Sequence, residues 1–244
     1  MEKAFFIDLT RCTACRGCQV ACKQWHKLPA EKTRNFGSHQ NPADLSVHTY
    51  KLVRFKEHVT NGQVEWLFFP EQCRHCMLAP CKEVSDEYDE SAIIRDEETQ
   101  AVLFTDRLQK LGEDEKQEIR DACPYDIPRF DPETGIMAKC DMCVDRVHAG
   151  LLPACVQVCP TNAMHFGDRE DMIELAKETL AKVKKTYPQA QLVDEEDVNV
   201  IYLTQTDPAK YHEYMMADAG AFIPKGITRK TLFAKLLSPA KKLV

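Results

Sequence analysis

No stretch of this chain approaches the roughly 18 consecutive apolar residues that a membrane-crossing helix requires, so no transmembrane segment is expected. The N-terminus has no charged n-region, long apolar core or small-residue cleavage site. Met1–Asp8 instead enters a strand-like Ala4-Phe5-Phe6-Ile7, and the chain is expected to carry no export signal of its own. There is no P-loop, no G-x-G-x-x-G turn and no Ser/His/Asp triad signature. A substrate pocket is therefore not expected, and the chain is not read as an enzyme on its own. Excess positive charge is missing too. A formal net charge of −6 argues against nucleic acid and suits a basic protein partner.

What the chain does have is twelve cysteines in ordered runs. Cys12, Cys15, Cys18 and Cys22 are spaced C-x2-C-x2-C-x3-C, and Cys73, Cys76 and Cys81 follow as C-x2-C-x4-C. A third run is reduced to Cys123 before Pro124, and the fourth is Cys140, Cys143, Cys155 and Cys159 before Pro160. In two-cluster bacterial ferredoxins the first three cysteines of a run hold one [4Fe–4S] cubane and the fourth reaches across to the other. That exchange rule gives cluster one to Cys12, Cys15, Cys18 and Cys159. It gives cluster two to Cys140, Cys143, Cys155 and Cys22, and cluster three to Cys73, Cys76, Cys81 and Cys123.

The missing cysteines are as informative as those present. Four full runs would supply sixteen cysteines, and the empty positions fall at Ser85, Glu113, Lys116 and Ile119. All four ligands of one cubane are gone while the other three sets are complete, which is the pattern of one site removed cleanly. Three [4Fe–4S] clusters are predicted. Disulfides suit small secreted scaffolds and do not account for this spacing. Structural zinc uses paired C-x2-C knuckles, with which Cys140/Cys143 taken alone is compatible, but zinc explains neither the x2, x2, x3 run nor the prolines after Cys123 and Cys159.

Each run is expected on a loop leading into a short helix. Residues 26–60 read as an insertion, polar and turn-rich at Asn35–Pro42 and strand-like over Val47–Phe55. Asn61-Gly62 is a hairpin signal, pairing that strand with Val64–Phe69. The acidic segment 83–122, with a helix over Asp106–Ala122, is read as replacement structure where the absent cluster would lie. Asp168 is the expected N-cap of an amphipathic helix with Met172, Ile173, Leu175, Ala176, Leu180 and Val183 on one face, ending before Pro188. A strand is expected over Val198–Leu203. The basic C-terminal stretch from Gly226 to Val244 is read as a solvated terminus, with a partner or membrane surface as the alternative.

The fold class expected is α+β: two nested bacterial-ferredoxin-like modules, one cluster site lost, with insertions and a helix-and-strand C-terminal extension. Residues 1–60 with 137–168 form the outer, two-cluster module, 61–136 the inner, one-cluster module, and 169–244 the extension. His75 is read either as a donor to a cluster sulfur or as an ordinary loop histidine. Met137, Met142 and Met164 are read as packing around the cluster pockets rather than as ligands.

Three stretches carry a family resemblance: Cys-Pro-Tyr-Asp-Ile-Pro-Arg-Phe at 123–130, Lys139-Cys140-Asp141-Met142-Cys143, and Cys159-Pro160-Thr161-Asn162-Ala163. With the four runs in this order, residues 1 to about 205 resemble the iron–sulfur subunits of molybdopterin oxidoreductases. Asp8–Trp25 and Gly37–Pro42 are most similar to the beta subunit of soluble tungsten or molybdenum formate dehydrogenases, a type with three clusters and no C-terminal membrane helix. The resemblance implies an electron-transfer role for the chain, between a large catalytic subunit with a bis-pterin tungsten or molybdenum and an acceptor such as cytochrome c. It also implies a heterodimer, a periplasmic location reached with the partner subunit (a cytoplasmic one is the alternative), and Trp25 packed beside a cluster. The alternatives are the equivalent subunit of a thiosulfate, polysulfide or tetrathionate reductase, or a free polyferredoxin carrier.

Overall fold

A computed structural model describes residues 2–60 and 62–217, so Asn61 and the basic stretch from Gly226 lie outside the described residues. In chain order the elements are β1 (Lys3–Asp8), α1 (Gly17–Trp25), β2 (Leu52–Thr60), β3 (Gln63–Glu71), α2 (Pro80–Asp86), β4 (Ile93–Arg95), β5 (Val102–Phe104) and α3 (Glu113–Asp121). They continue with β6 (Arg129–Phe130), β7 (Met137–Ala138), α4 (Val144–His148), α5 (Ala154–Gln157), β8 (Met164–Asp168), α6 (Arg169–Val183), β9 (Gln191–Val193) and β10 (Val200–Thr204). The fold is the expected α+β.

β1 organises the sheet β8-β1-β10-β9, in which it runs parallel to β10 and antiparallel to β8. It shows no polar alternation because both of its faces are covered. Phe6 packs with Ile201, Leu203 and Ala176 under α6, whereas Phe5 and Ile7 pack with Val200 and Tyr202 into the core that holds Cys18 and Cys155. The sheet is thus a wall between an outer helix and the cysteine-bearing interior. The second half of the interior, around Cys73, Cys76, Cys81 and Cys140, is filled by Leu52, Ile93, Val102, Ile119 and Tyr125.

Three sequence expectations shift. The strand expected over Val47–Phe55 starts at Leu52 and runs on to Thr60, because Ser46 and Thr49 close a bridged turn first. The helix expected over Asp106–Ala122 splits into a 3-10 turn, Asp106–Lys110, and α3, with Leu111–Gly112 between them. Gly112 donates its N–H to the Glu115 carboxylate at 2.6 Å, and Glu113, Asp114 and Glu115 place negative charge at the positive end of α3. Asp168 holds the N-cap position of α6, but its carboxylate meets Lys3 Nζ at 2.6 Å and makes no cap hydrogen bond.

The division at 60/61 falls in the turn of the β2–β3 hairpin, and β9 and β10 share a sheet with β1. β2, β3 and the strands of the extension therefore pack continuously across the expected boundaries, tied further by a clasp closed on Asp44. Arg54 on β2 donates to Glu71 on β3 at 2.5 Å and to Asp44 at 2.6 Å, and Arg129 on β6 meets the same Asp44 at 2.8 Å.

Candidate metal centres

The cysteine runs impose backbone that ordinary residues avoid. Ala14, Arg16, His75, Met142 and Cys143 have positive φ, turning successive N–H groups inward toward anions. The pattern repeats at matched offsets. His75 N–H donates to Cys73 Sγ at 3.3 Å and Met142 N–H to Cys140 Sγ at 3.4 Å. Ile127 N–H donates to Cys123 Sγ at 3.5 Å and Ala163 N–H to Cys159 Sγ at 3.3 Å, and Asp126 and Asn162 share the same left-handed turn after each Cys-Pro pair. This repetition is the nested pseudo-symmetry at atomic level.

All twelve cysteines are free, and they converge in sets. Cys12, Cys15, Cys18 and Cys159 line one small cavity, with Met164 in its wall. Cys73, Cys76, Cys81 and Cys123 line another, with Arg74 and Lys139 beside them. Burial pushes the Cys22 thiol well up, helped by Cys155 and Cys143; burial and then Cys22 push Cys140 up in turn. Cys22 thus neighbours Cys140, Cys143 and Cys155, and Cys143 in turn neighbours Cys140 and Cys155. Cys155 also faces Cys159, and Cys140 faces Cys73, so the three sets stand in file with the second in the middle.

Burial drives these thiols away from ionisation: Cys18 and Cys143 are pushed up to about 12 and Cys81 to about 11. A thiol held this way becomes a thiolate when a cation binds it, and soft, anionic sulfur is the donor iron prefers. The donor set fits a cubane in another respect. His75 is fully buried, its Nδ1 accepts from Val102 N–H at 3.1 Å, and burial holds it far below the usual histidine range as a neutral ring. Its buried Nε2 has no hydrogen-bond partner among the described residues, and neither do Nε and Nη1 of buried Arg74, which also lines the Cys73 cavity. Cluster sulfurs are acceptors of the right kind.

The positions read as a removed site are filled. Ser85, Lys116 and Ile119 are buried where α2 packs on α3, and Glu113 alone is turned to solvent. Met137, Met142 and Met164 are all buried in the cores around the cysteines. Trp25 is 40% exposed, its Nε1–H on Asp145 at 3.0 Å and the Arg146 guanidinium 4.3 Å above its ring. Sequence reasoning missed His26, whose Nε2 lies 3.6 Å from Cys143 Sγ and 3.4 Å from Asp141. It also missed Lys51, Arg74 and Lys139, charged residues that are only 2%, 2% and 6% exposed.

Residues 64–169 match the family model of a 4Fe-4S dicluster domain. Over 217 residues the chain is 55% identical to the formate dehydrogenase subunit beta of Megalodesulfovibrio gigas, covering 89% of this chain and all of that protein. The chain belongs to the formate dehydrogenase iron–sulfur subunit family. The formate dehydrogenase 2 subunit beta (cytochrome c-553) of Nitratidesulfovibrio vulgaris is 53% identical over 215 residues, 88% of this chain and 98% of that one. The thiosulfate reductase electron transfer subunit of Salmonella typhi is 33% identical over 161 residues, 66% of this chain and 72% of that one. As an iron–sulfur subunit of this family, the chain is a non-catalytic electron-transfer subunit, and its cofactors are three [4Fe–4S] clusters, for which twelve cysteines are the full complement. No helix among the described residues is long and apolar enough to cross a membrane.

Proposed function

We propose that this chain relays electrons between the catalytic subunit of a formate dehydrogenase, which carries a bis-pterin tungsten or molybdenum, and an external acceptor such as a c-type cytochrome. Cluster one is held by Cys12, Cys15, Cys18 and Cys159, cluster two by Cys22, Cys140, Cys143 and Cys155, and cluster three by Cys73, Cys76, Cys81 and Cys123. The observation that carries this reading is the convergence of the twelve free cysteines into three neighbouring sets of four, two of them around cavities of similar size. A file of cubanes passes electrons in either direction, so formate oxidation and CO2 reduction use the same path.

The proposed assembly is a heterodimer in the periplasm, exported with the catalytic partner. The cytochrome c-553 in the name of the Nitratidesulfovibrio relative and the acidic balance of this chain favour a basic cytochrome as acceptor. Affinity purification of the native complex tests the proposal, with metal analysis, a formate-dependent dye-reduction assay and cell fractionation. A large partner with tungsten or molybdenum, about twelve irons assigned to this chain and formate activity are expected. The same complex without formate activity would move the function to a reductase of the thiosulfate kind, and a lone chain without pterin metal would leave a free polyferredoxin.

A further inference from the structure

Buried cations without counter-ions are rare, because taking a charge out of water is costly unless an opposite charge meets it. Apart from Lys116 on α3, this interior holds three. Lys51, Arg74 and Lys139 are nearly inaccessible, and among the described residues none has a carboxylate within ion-pair distance. Lys51 Nζ donates to the Pro70 carbonyl at 3.2 Å and to the side-chain oxygen of Gln72. Lys139 Nζ donates to the carbonyls of Val102 at 2.5 Å and Cys140 at 3.0 Å, and lies 4.7 Å over the Phe104 ring. Neutral carbonyls orient both ammonium groups and leave their charge uncancelled.

The placement of the two lysines follows the file. Lys51 is bonded to the carbonyl of Pro70, which lines the first cavity together with Cys18, and the thiolates that would act on it most strongly are Cys155 of the second set and Cys18 of the first. Lys139 adjoins Cys140 of the second set, lines the cavity of the third and acts on Cys81. Each junction between adjacent sets therefore contains one buried ammonium. A cubane held by four thiolates carries a formal charge of about −2 when oxidised and about −3 when reduced. Three such groups in one interior would otherwise repel the electron they are meant to pass.

We propose that Lys51 and Lys139 are the fixed counter-charges of the file, one at each junction, and that each raises the reduction potentials of both clusters it separates. The proposal rests on the cysteine pairing given above. Reduction adds negative charge, so a fixed cation favours the reduced state, and its removal lowers the potential. A unit charge about 10 Å away at an effective dielectric of about 20 changes the reduced-to-oxidised ratio by roughly tenfold, which is about 59 mV for a one-electron couple. Both lysines are positioning residues for electron transfer, acting through the field they hold inside the protein.

The test is a potentiometric titration of the intact complex followed by electron paramagnetic resonance, for Lys51→Met, Lys139→Met and the Arg variant at each position, with iron counted in each. The expected pattern has three couples. One falls in both Met variants, one only in Lys51→Met and one only in Lys139→Met, each by about a tenfold change in ratio, while the Arg variants titrate like the parent. Unmoved potentials with full iron content would overturn the proposal, as would both lysines shifting one and the same couple alone. If the Met variants lose iron, Lys51→Gln and Lys139→Gln keep a donor toward the same carbonyls and carry the test. Iron loss there too overturns the proposal in favour of a purely structural role. A parent iron content far from about twelve would instead sink the three-cluster pairing, an outcome distinct from any shift in potential.

Discussion

α3 lies at the positions where the sequence repeat would place a fourth cluster's ligands, and its apolar anchoring to the core rests on one side chain. Of its nine residues only Lys116 and Ile119 are buried, so Ile119, with no exposed surface, is the helix's single fully buried apolar anchor. It packs in the core that includes Leu108, Ala79 and Ile93, with Val84 at its edge. Ile119→Ala removes three carbons. At about 0.8 kcal/mol for each buried methylene the transfer loss alone is about 2.4 kcal/mol, and the residual cavity brings the expected cost into the range of about 2–5 kcal/mol.

The loss is local, so amide hydrogen exchange of the intact complex is the assay. Protection over Glu113–Asp121 should fall by about 30-fold or more, since each 1.4 kcal/mol is about tenfold in an equilibrium constant. Exchange around Cys73–Cys81 and the iron content should both stay unchanged, because none of the twelve cysteines lies on α3. Exchange over α3 within about threefold of the parent would refute the anchoring argument. Loss of about a third of the iron would refute the idea that α3 merely fills a vacated site.

Cys123→Ala should empty cluster three alone, taking iron from about twelve to about eight per chain while the spectra of the other two clusters persist; iron near four would mean that the sets are not independent. Arg54→Met strips the buried Glu71 carboxylate of its 2.5 Å partner, and removing one member of a buried pair costs about 3–5 kcal/mol; thermal inactivation of the double variant with Glu71→Gln should recover much of that, and equal instability of single and double variants would remove the pair from the argument. Burial, reinforced by Arg54 and Lys56, holds His212 down at about 4, so the unfolded chain binds more protons than the folded one between about pH 4 and the ordinary histidine value near 6.5. Stability of the 208–217 segment should therefore fall as pH drops through that window, with faster proteolysis there, and His212→Phe should flatten the dependence.

The elements that follow from periodicity or cap chemistry were legible in the sequence. β1, the β2–β3 hairpin and α6 lie where the apolar Ala4–Ile7 run, Asn61-Gly62 and the Leu175/Ala176 stripe place them, and β10 begins two residues into the expected Val198–Leu203 run. The cysteine spacing carries the sets because a cubane demands thiols at fixed offsets on tight turns, and local geometry of that kind is written in consecutive residues. The start of β2 was not legible, since Ser46 and Thr49 compete with the ladder by closing a turn of their own. Nor were the buried lysines. Lys51 and Lys139 are exposed by every compositional rule, and what makes them interior is the charge of cofactors supplied by residues far away in sequence.

The repeat also explains why this particular site could be lost. α1 carries Cys18 and Cys22 one turn apart, and they go to sets one and two. α2 carries Cys81 and Ser85 one turn apart in the same way, so the vacated site is the neighbour of set three as set two is the neighbour of set one. Set three meets set two through Cys73 and Cys140. By that repeat the empty positions adjoin set three and not set two, and the three complete sets remain in an unbroken file. Losing set two would have left the two remaining sets stranded with Lys51 and Lys139 facing an empty middle. Protein closes these positions: Ser85, Lys116 and Ile119 are all buried there, and only Glu113 is turned to solvent.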